Sequence, residues 1–126
     1  MAAVTNAITV NFQAQVVNGK YRESIAPGAQ IIAQQNPGRG GGIQTVSHTT
    51  LTTLTLGVAV TGWMLIQNLD AANYVIWGAN RSDLAMEPLG KLLAGEYAWV
   101  RVAPGVIIVA QADTGDVQVD VRALAN

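Results

Sequence analysis

A chain of 126 residues is long enough to bury one sizeable core but not two. Half of its residues are apolar and 12% are charged, against about a quarter charged in an average soluble domain. Seven scattered basic residues and a net charge of −1 exclude the basic stripe that nucleic-acid binding needs, and the absence of cysteine excludes disulfides.

Further along the same lines, apolar runs such as VIIVA fall far short of the ~20 residues that cross a bilayer as a helix. The opening MAAVTNAITVNFQ has neither a basic n-region nor a continuous apolar stretch, which predicts no signal peptide and a soluble protein made in the cytoplasm. So low a charge leaves a single small domain short of hydrophilic cover. That shortage predicts apolar surface hidden against other subunits.

From the N-terminus, Ile8, Val10, Phe12, Ala14 and Val16 alternate with Thr9, Asn11, Gln13 and Gln15, which predicts a half-buried antiparallel strand. Asn18-Gly19 then reads as a hairpin turn, because both residues tolerate positive φ. Shorter strands are predicted over 20–25, 30–34, 43–48, 51–56, 63–68, 74–78, 96–102 and 106–111. The two Ala-Pro-Gly triplets, at 26–28 and 103–105, read as turns.

The glycine-rich stretch from Asn36 to Gly42 reads as a flexible loop that cannot hold a ladder. SDLAMEPLGKLLAG, interrupted by Pro88, is not predicted to form a helix. The last strand alternates Val117, Val119, Val121 and Ala123 with Asp116, Gln118, Asp120 and Arg122. Nine or ten short strands at this spacing predict one antiparallel β-sandwich over 1–126, in jelly-roll form.

The residues offer no reaction centre. His48 is the only imidazole; neighbouring Ser47 points to the opposite strand face, so no Ser-His-Asp relay is expected. Asp113, Asp116 and Asp120 read as a solvated face rather than a metal site. Asp113-Thr114-Gly115 is the triplet of viral-type aspartic proteases, yet only eleven residues follow it, and it reads as a turn. The expectation is a non-enzyme with no catalytic residue, no metal and no cofactor.

Trp63, Trp77 and Trp99 fall on three predicted strands. Their default role is core filling, with subunit anchors and a sugar-stacking platform as alternatives. YVIW and EYAWVRV place large apolar groups on both strand faces. One face can be core; the other then needs a partner.

GWMLIQNLDAANYVIWG, followed by LGKLLAGEYAWVRVAPGVIIVAQADTGDVQVDVRAL, resembles small virion proteins of tailed bacteriophages. The likeness rests on a strand ending in NLD, then NYV with a glycine, an AGE strand entry, an R-x-A-P-G turn and a closing valine-rich strand. It spans Gly62 to Leu124, while the N-terminal half matches loosely through GKYRESIAPGAQIIAQQN and the glycine-rich loop. The resemblance implies a β-sandwich of the particle itself: a homotrimer decorating or cementing the capsid, with the major capsid protein as partner and the capsid surface as location. Arg39, Trp77, Trp99 and Arg101 are the residues expected at the assembly interface. A tail or baseplate component and a carbohydrate- or receptor-binding module are the alternatives.

Overall fold

The structure is a computed structural model that describes residues 7–33, 38–58, 61–81 and 85–125. The chain divides into two compact units, Met1–Gln35 and Asn36–Asn126. The sandwich expected over 1–126 is built by the second unit. The strand expected from Ile8 belongs to the first.

The first unit is a long hairpin of β1 (Ala7–Asn18) and β2 (Tyr21–Ala33), paired in antiparallel register from Asn18↔Tyr21 to Ala7↔Ala33. Gly19 turns the corner at φ 61°, as the Asn-Gly pair predicts. The first Ala-Pro-Gly does not make a turn. Its Ala26 and Pro27 fall in a register shift opposite Gln13, so the two strands expected here are one, Tyr21–Ala33, over the described residues. A bulge accepts proline because the extra residue donates no ladder hydrogen bond.

Among the described residues the second unit holds eight strands: β3 (Arg39–Val46), β4 (Thr52–Thr53), β5 (Thr61–Asn68), β6 (Val75–Asn80), β7 (Met86–Leu92), β8 (Tyr97–Arg101), β9 (Ile108–Ala112) and β10 (Val117–Ala125). They form two four-stranded sheets with orders β3-β10-β5-β8 and β4-β9-β6-β7, every pairing antiparallel. Eight strands distributed between two sheets in this order make a jelly roll.

Alternation along each strand builds the core. Met64 and Ile66 of β5, Val117, Val119 and Val121 of β10, and Val46 of β3 meet Val75 and Trp77 of β6, Leu92 of β7, and Ile108, Ala110 and Ala112 of β9. Inward residues recur at every second position, so a one-residue slip would turn the whole apolar set to the outside, and the register is held by burial. Gln44 links β3 to the chain after β4. Its amide donates to Thr55 O at 2.6 Å and accepts from Thr55 N at 2.7 Å.

Two expectations are corrected here. The run Arg39-Gly40-Gly41-Gly42 lies in the ladder, paired with Leu124, Ala123, Arg122 and Val121 of β10. Glycine is needed because a Cβ at Gly40 would stand 2.4 Å from Leu56 O, and Gly41 adopts φ 104°. The glycines therefore permit a close backbone approach rather than mobility; Asn36 and Pro37 lie outside the described residues. MEPLGKL, assigned no structure from the sequence, is the edge strand β7. Its Pro88 and Gly90 are tolerated because one side of that strand has no strand partner among the described residues.

Candidate functional site

The strands β5, β8, β10 and β3 present their second face outward, and the register fixes what stands on it. Arg101 lies opposite Trp63, Trp63 opposite Leu124, and Leu124 opposite Arg39. One row across the whole sheet is therefore Arg–Trp–Leu–Arg. The next row carries Trp99, Leu65 and Arg122, and the one after it Tyr97, Gln67, Asp120 and Ile43.

Within this face Trp63 and Trp99 stack, with ring centroids 5.3 Å apart and planes 12° from parallel. The Arg101 guanidinium stands 5.9 Å from the centre of the Trp63 ring. These contacts help to explain why Trp63 is only 8% exposed although it points away from the core. Tyr97 and Ile43 are each 65% exposed. Arg122 reaches Asp120 at 3.4 Å along its own strand. Stacked aromatics with Arg101 beside them, on a face that carries Leu65, Leu124 and Ile43 as well as Gln67 and Asp120, have the composition of an interface centre.

Of the four residues expected at an assembly interface, Arg39, Trp99 and Arg101 share this face. Trp77 does not. Its ring is 6% exposed and belongs to the core between the sheets, where it also walls an apolar cleft of about 540 Å³ lined by Leu89, Val100, Val102, Val106 and Ile108. Trp63, expected only as one of three aromatics, is the residue that joins the others. The parity Trp63-x-Leu65-x-Gln67, opposite to that of Met64 and Ile66, is the signal that places it outside.

Three of the motifs that carry the resemblance, NLD, NYV and AGE, meet around one side chain. Asn68, fully buried at the end of β5, donates from Nδ2 to Asn73 O at 2.9 Å and to Leu92 O at 3.0 Å. Its Oδ1 accepts from Asp70 N at 2.8 Å. Its backbone bonds Glu96 O at 2.9 Å and Gly95 N at 3.0 Å. Asp70 then caps the turn, accepting from Ala72 N at 3.0 Å and Asn73 N at 2.6 Å, and Thr114 of the Asp-Thr-Gly turn donates to Asn73 Oδ1 at 3.1 Å. NLD, NYV, AGE and DTG thus form one hydrogen-bonded knot. Each residue type there satisfies backbone groups that strand ends leave open. Asn68 was not singled out from the sequence. A polar residue in phase with Met64 and Ile66 is the signal for it.

His48 has a partner that the sequence did not indicate. Its Nδ1 lies 2.7 Å from Asp116 Oδ1, and its backbone N donates to the same oxygen at 3.1 Å. An ionised carboxylate only accepts, so Nδ1 carries the proton. The pair ties the β3–β4 loop to the start of β10. Ser47 Oγ is engaged elsewhere, accepting from Thr49 N at 3.1 Å and Thr50 N at 3.2 Å. Among the described residues no three His, Cys, Asp or Glu side chains are grouped as metal ligands.

Both turn carboxylates are held below their ordinary value of 3.8: Asp116 by the His48 ring and amide bonds, Asp70 by the Asn73 and Ala72 amides. A depressed folded value means stability fully present above about pH 4 and lost as pH falls through the lower folded values. The melting temperature is expected to fall below pH 4. The double variant Asp70→Asn, Asp116→Asn keeps an acceptor at each turn and is expected to flatten that acid limb. An unchanged acid limb in a pH series of thermal melts would contradict the assignment.

No protein-family model matches this chain, and neither a curated protein nor a solved structure does. The class that fold and site define is a jelly roll, eight-stranded among the described residues, that follows a hairpin unit in the sequence and bears an aromatic–arginine outer face.

Proposed function

We propose that this chain is a structural protein of a tailed-bacteriophage particle: a capsid decoration protein that assembles as a homotrimer and braces the head shell without performing chemistry. The observation that carries the reading is the outer sheet face, where Arg39, Trp63, Leu124 and Arg101 form one row beside Trp99 and Tyr97. Such a face serves to dock on protein. Two further points support it. Residues 62–124 resemble virion proteins, three of the motifs that carry the resemblance (NLD, NYV and AGE) meet at Asn68, and jelly rolls recur in viral capsid and lectin domains.

In this reading the outer face meets the major capsid protein, with Arg39 and Arg101 at its two ends. A symmetric trimer makes three such contacts at once, so that weak individual contacts add through effective concentration. The exposed ring of Tyr97 beside Trp99 favours a second reading, in which the same face stacks on sugar as a receptor-binding module.

The test adds purified protein to particles that lack it and measures bound copies and the temperature of DNA release. Saturable binding with a raised release temperature is expected. Immunogold label confined to the tail, with no binding to heads, would move the protein to the tail or baseplate. Specific signal on a glycan array without head binding would favour the sugar reading.

A further inference from the structure

Among the described residues each sheet of the second unit ends in two edge strands, β3 and β8 in one and β4 and β7 in the other. Open edges invite pairing with another chain, and proteins blunt them by shortness, proline, charge or an irregular backbone. Three of the four are blunted here. β4 has two residues, β7 carries Pro88 with Glu87 and Lys91, and β3 holds three glycines, with Gly41 and Gly42 at φ 104° and 136°. β8 is different: Tyr97-Ala98-Trp99-Val100-Arg101 has no proline or glycine, and its one charge stands at the last position.

The phase of the ladder fixes which groups on this edge are open. Val102 N donates to Gly62 O at 2.9 Å, Asn68 N donates to Glu96 O at 2.9 Å, and the register between these rungs is unbroken. Antiparallel rungs alternate, so Ala98 and Val100 bond β5, while the N–H and C=O groups of Tyr97, Trp99 and Arg101 point off the sheet. The apolar cleft of about 540 Å³ runs along the inner side of the same edge, with Val100 and Val102 on one wall and Leu89 of β7 on the other. Its rim is apolar too: Leu89 is 64% exposed and Val106 36%. Arg101 is the only charged residue that borders it among the described residues.

We propose that β8 and this cleft form a strand-receiving site, which takes an extended segment of another protein that is apolar at every second residue. The site goes beyond the capsid reading and does not depend on it. An added antiparallel strand bonds the open groups of Tyr97, Trp99 and Arg101, and main-chain bonds of this kind supply affinity while alternate side chains supply specificity. Its residues opposite Val100 and Val102 turn inward, about 7 Å apart, and enter the cleft. Walls of valine, leucine, isoleucine and tryptophan set the chemistry of those residues, because a charge placed there loses its water and finds no partner. The β8 strand of a second copy does not fit. Its own inward residues, Ala98 and Val100, already pack against its own core. The occupant is therefore a single strand whose inward side chains are free, as in an extended arm of a partner protein.

The test uses the full chain and three capped peptides of about nine residues, the length of a long strand. One alternates valine with threonine. The second is the same peptide with N-methyl groups on the threonine nitrogens, which are the ones that would face β8. The third has aspartate for each valine. Binding is read by titration, and its place by hydrogen exchange of single amides. The first peptide is expected to bind and to slow exchange at Tyr97, Trp99 and Arg101 by about tenfold or more, and the other two are expected not to bind. Leu89→Asp puts a charge on the cleft rim at an exposed position, so it is expected to weaken binding of the first peptide about tenfold or more at an unchanged melting temperature. No binding of the first peptide would overturn the site. Equal binding of the N-methyl copy, or unslowed exchange at the three amides, would show a cleft that takes apolar groups without receiving a strand. Unchanged affinity for Leu89→Asp would place the peptide elsewhere.

Discussion

Replacing Asn68 with alanine is expected to lower the unfolding free energy by about 3 kcal/mol or more. The side chain is fully buried and makes three hydrogen bonds, to Asn73 O, Leu92 O and Asp70 N. Alanine removes all three and supplies no replacement. Each buried carbonyl or amide left without a partner costs about 1–3 kcal/mol, well above the net worth of the bond itself. Asn68→Asp retains the acceptor for Asp70 N but turns a carboxylate toward two carbonyl oxygens, so it is expected to be no milder. Denaturant unfolding checks both. A loss below about 1 kcal/mol for Asn68→Ala would show that the knot is not what holds the strand ends.

The second large effect separates two tryptophans that look alike in the sequence. Trp77→Ala is expected to cost about 3–5 kcal/mol, the range for removing a buried indole and leaving its cavity between two sheets. Gly90 cannot collapse into that space, since it lies directly against the ring: a Cβ there would sit 2.5 Å from Trp77 Nε1. Trp99→Ala is expected to cost about 1 kcal/mol, because its ring rests on the outer face and loses mainly its stack with Trp63. Thermal or denaturant midpoints of the two variants decide the matter. Equal losses would mean that the outer face is a second core rather than a surface.

How much of this was legible beforehand follows from what period-two alternation records. Val117-x-Val119-x-Val121 and Met64-x-Ile66 state which side of a strand is apolar, and the observed faces agree. Alternation does not state what lies against that side. The stripe Val10-x-Phe12-x-Ala14-x-Val16 has the same pattern as β10, yet it belongs to the hairpin unit, where Phe12 is 53% exposed. Burial of a strand face is a tertiary fact, and one strand carries no record of its cover.

Glycine proved ambiguous for a similar reason. The residue that frees a loop also lets two backbones meet, so Gly40 reads as flexible until Leu56 O is found beside it. Pro88 and Gly90 obscured β7 because local preference argues against a strand, while an edge position tolerates both. The outer face was half legible. EYAWVRV shows large groups on both sides of a strand, but the row from Arg101 through Trp63 and Leu124 to Arg39 exists only in the register between four strands. Asn68 and the His48–Asp116 pair depend on residues 24 and 68 positions away, beyond the reach of any local pattern.

In the proposed function, the outer face of the β3-β10-β5-β8 sheet docks this protein on a capsid. The most direct measurement is the number of copies bound per particle lacking it, for the wild type and for Arg101→Glu at equal concentration. Arg101 is exposed, and reversing its charge leaves the core untouched. Saturable binding by the wild type, with copies reduced at least tenfold for Arg101→Glu at an unchanged melting temperature, is the predicted result. Equal occupancy by both proteins would contradict the account.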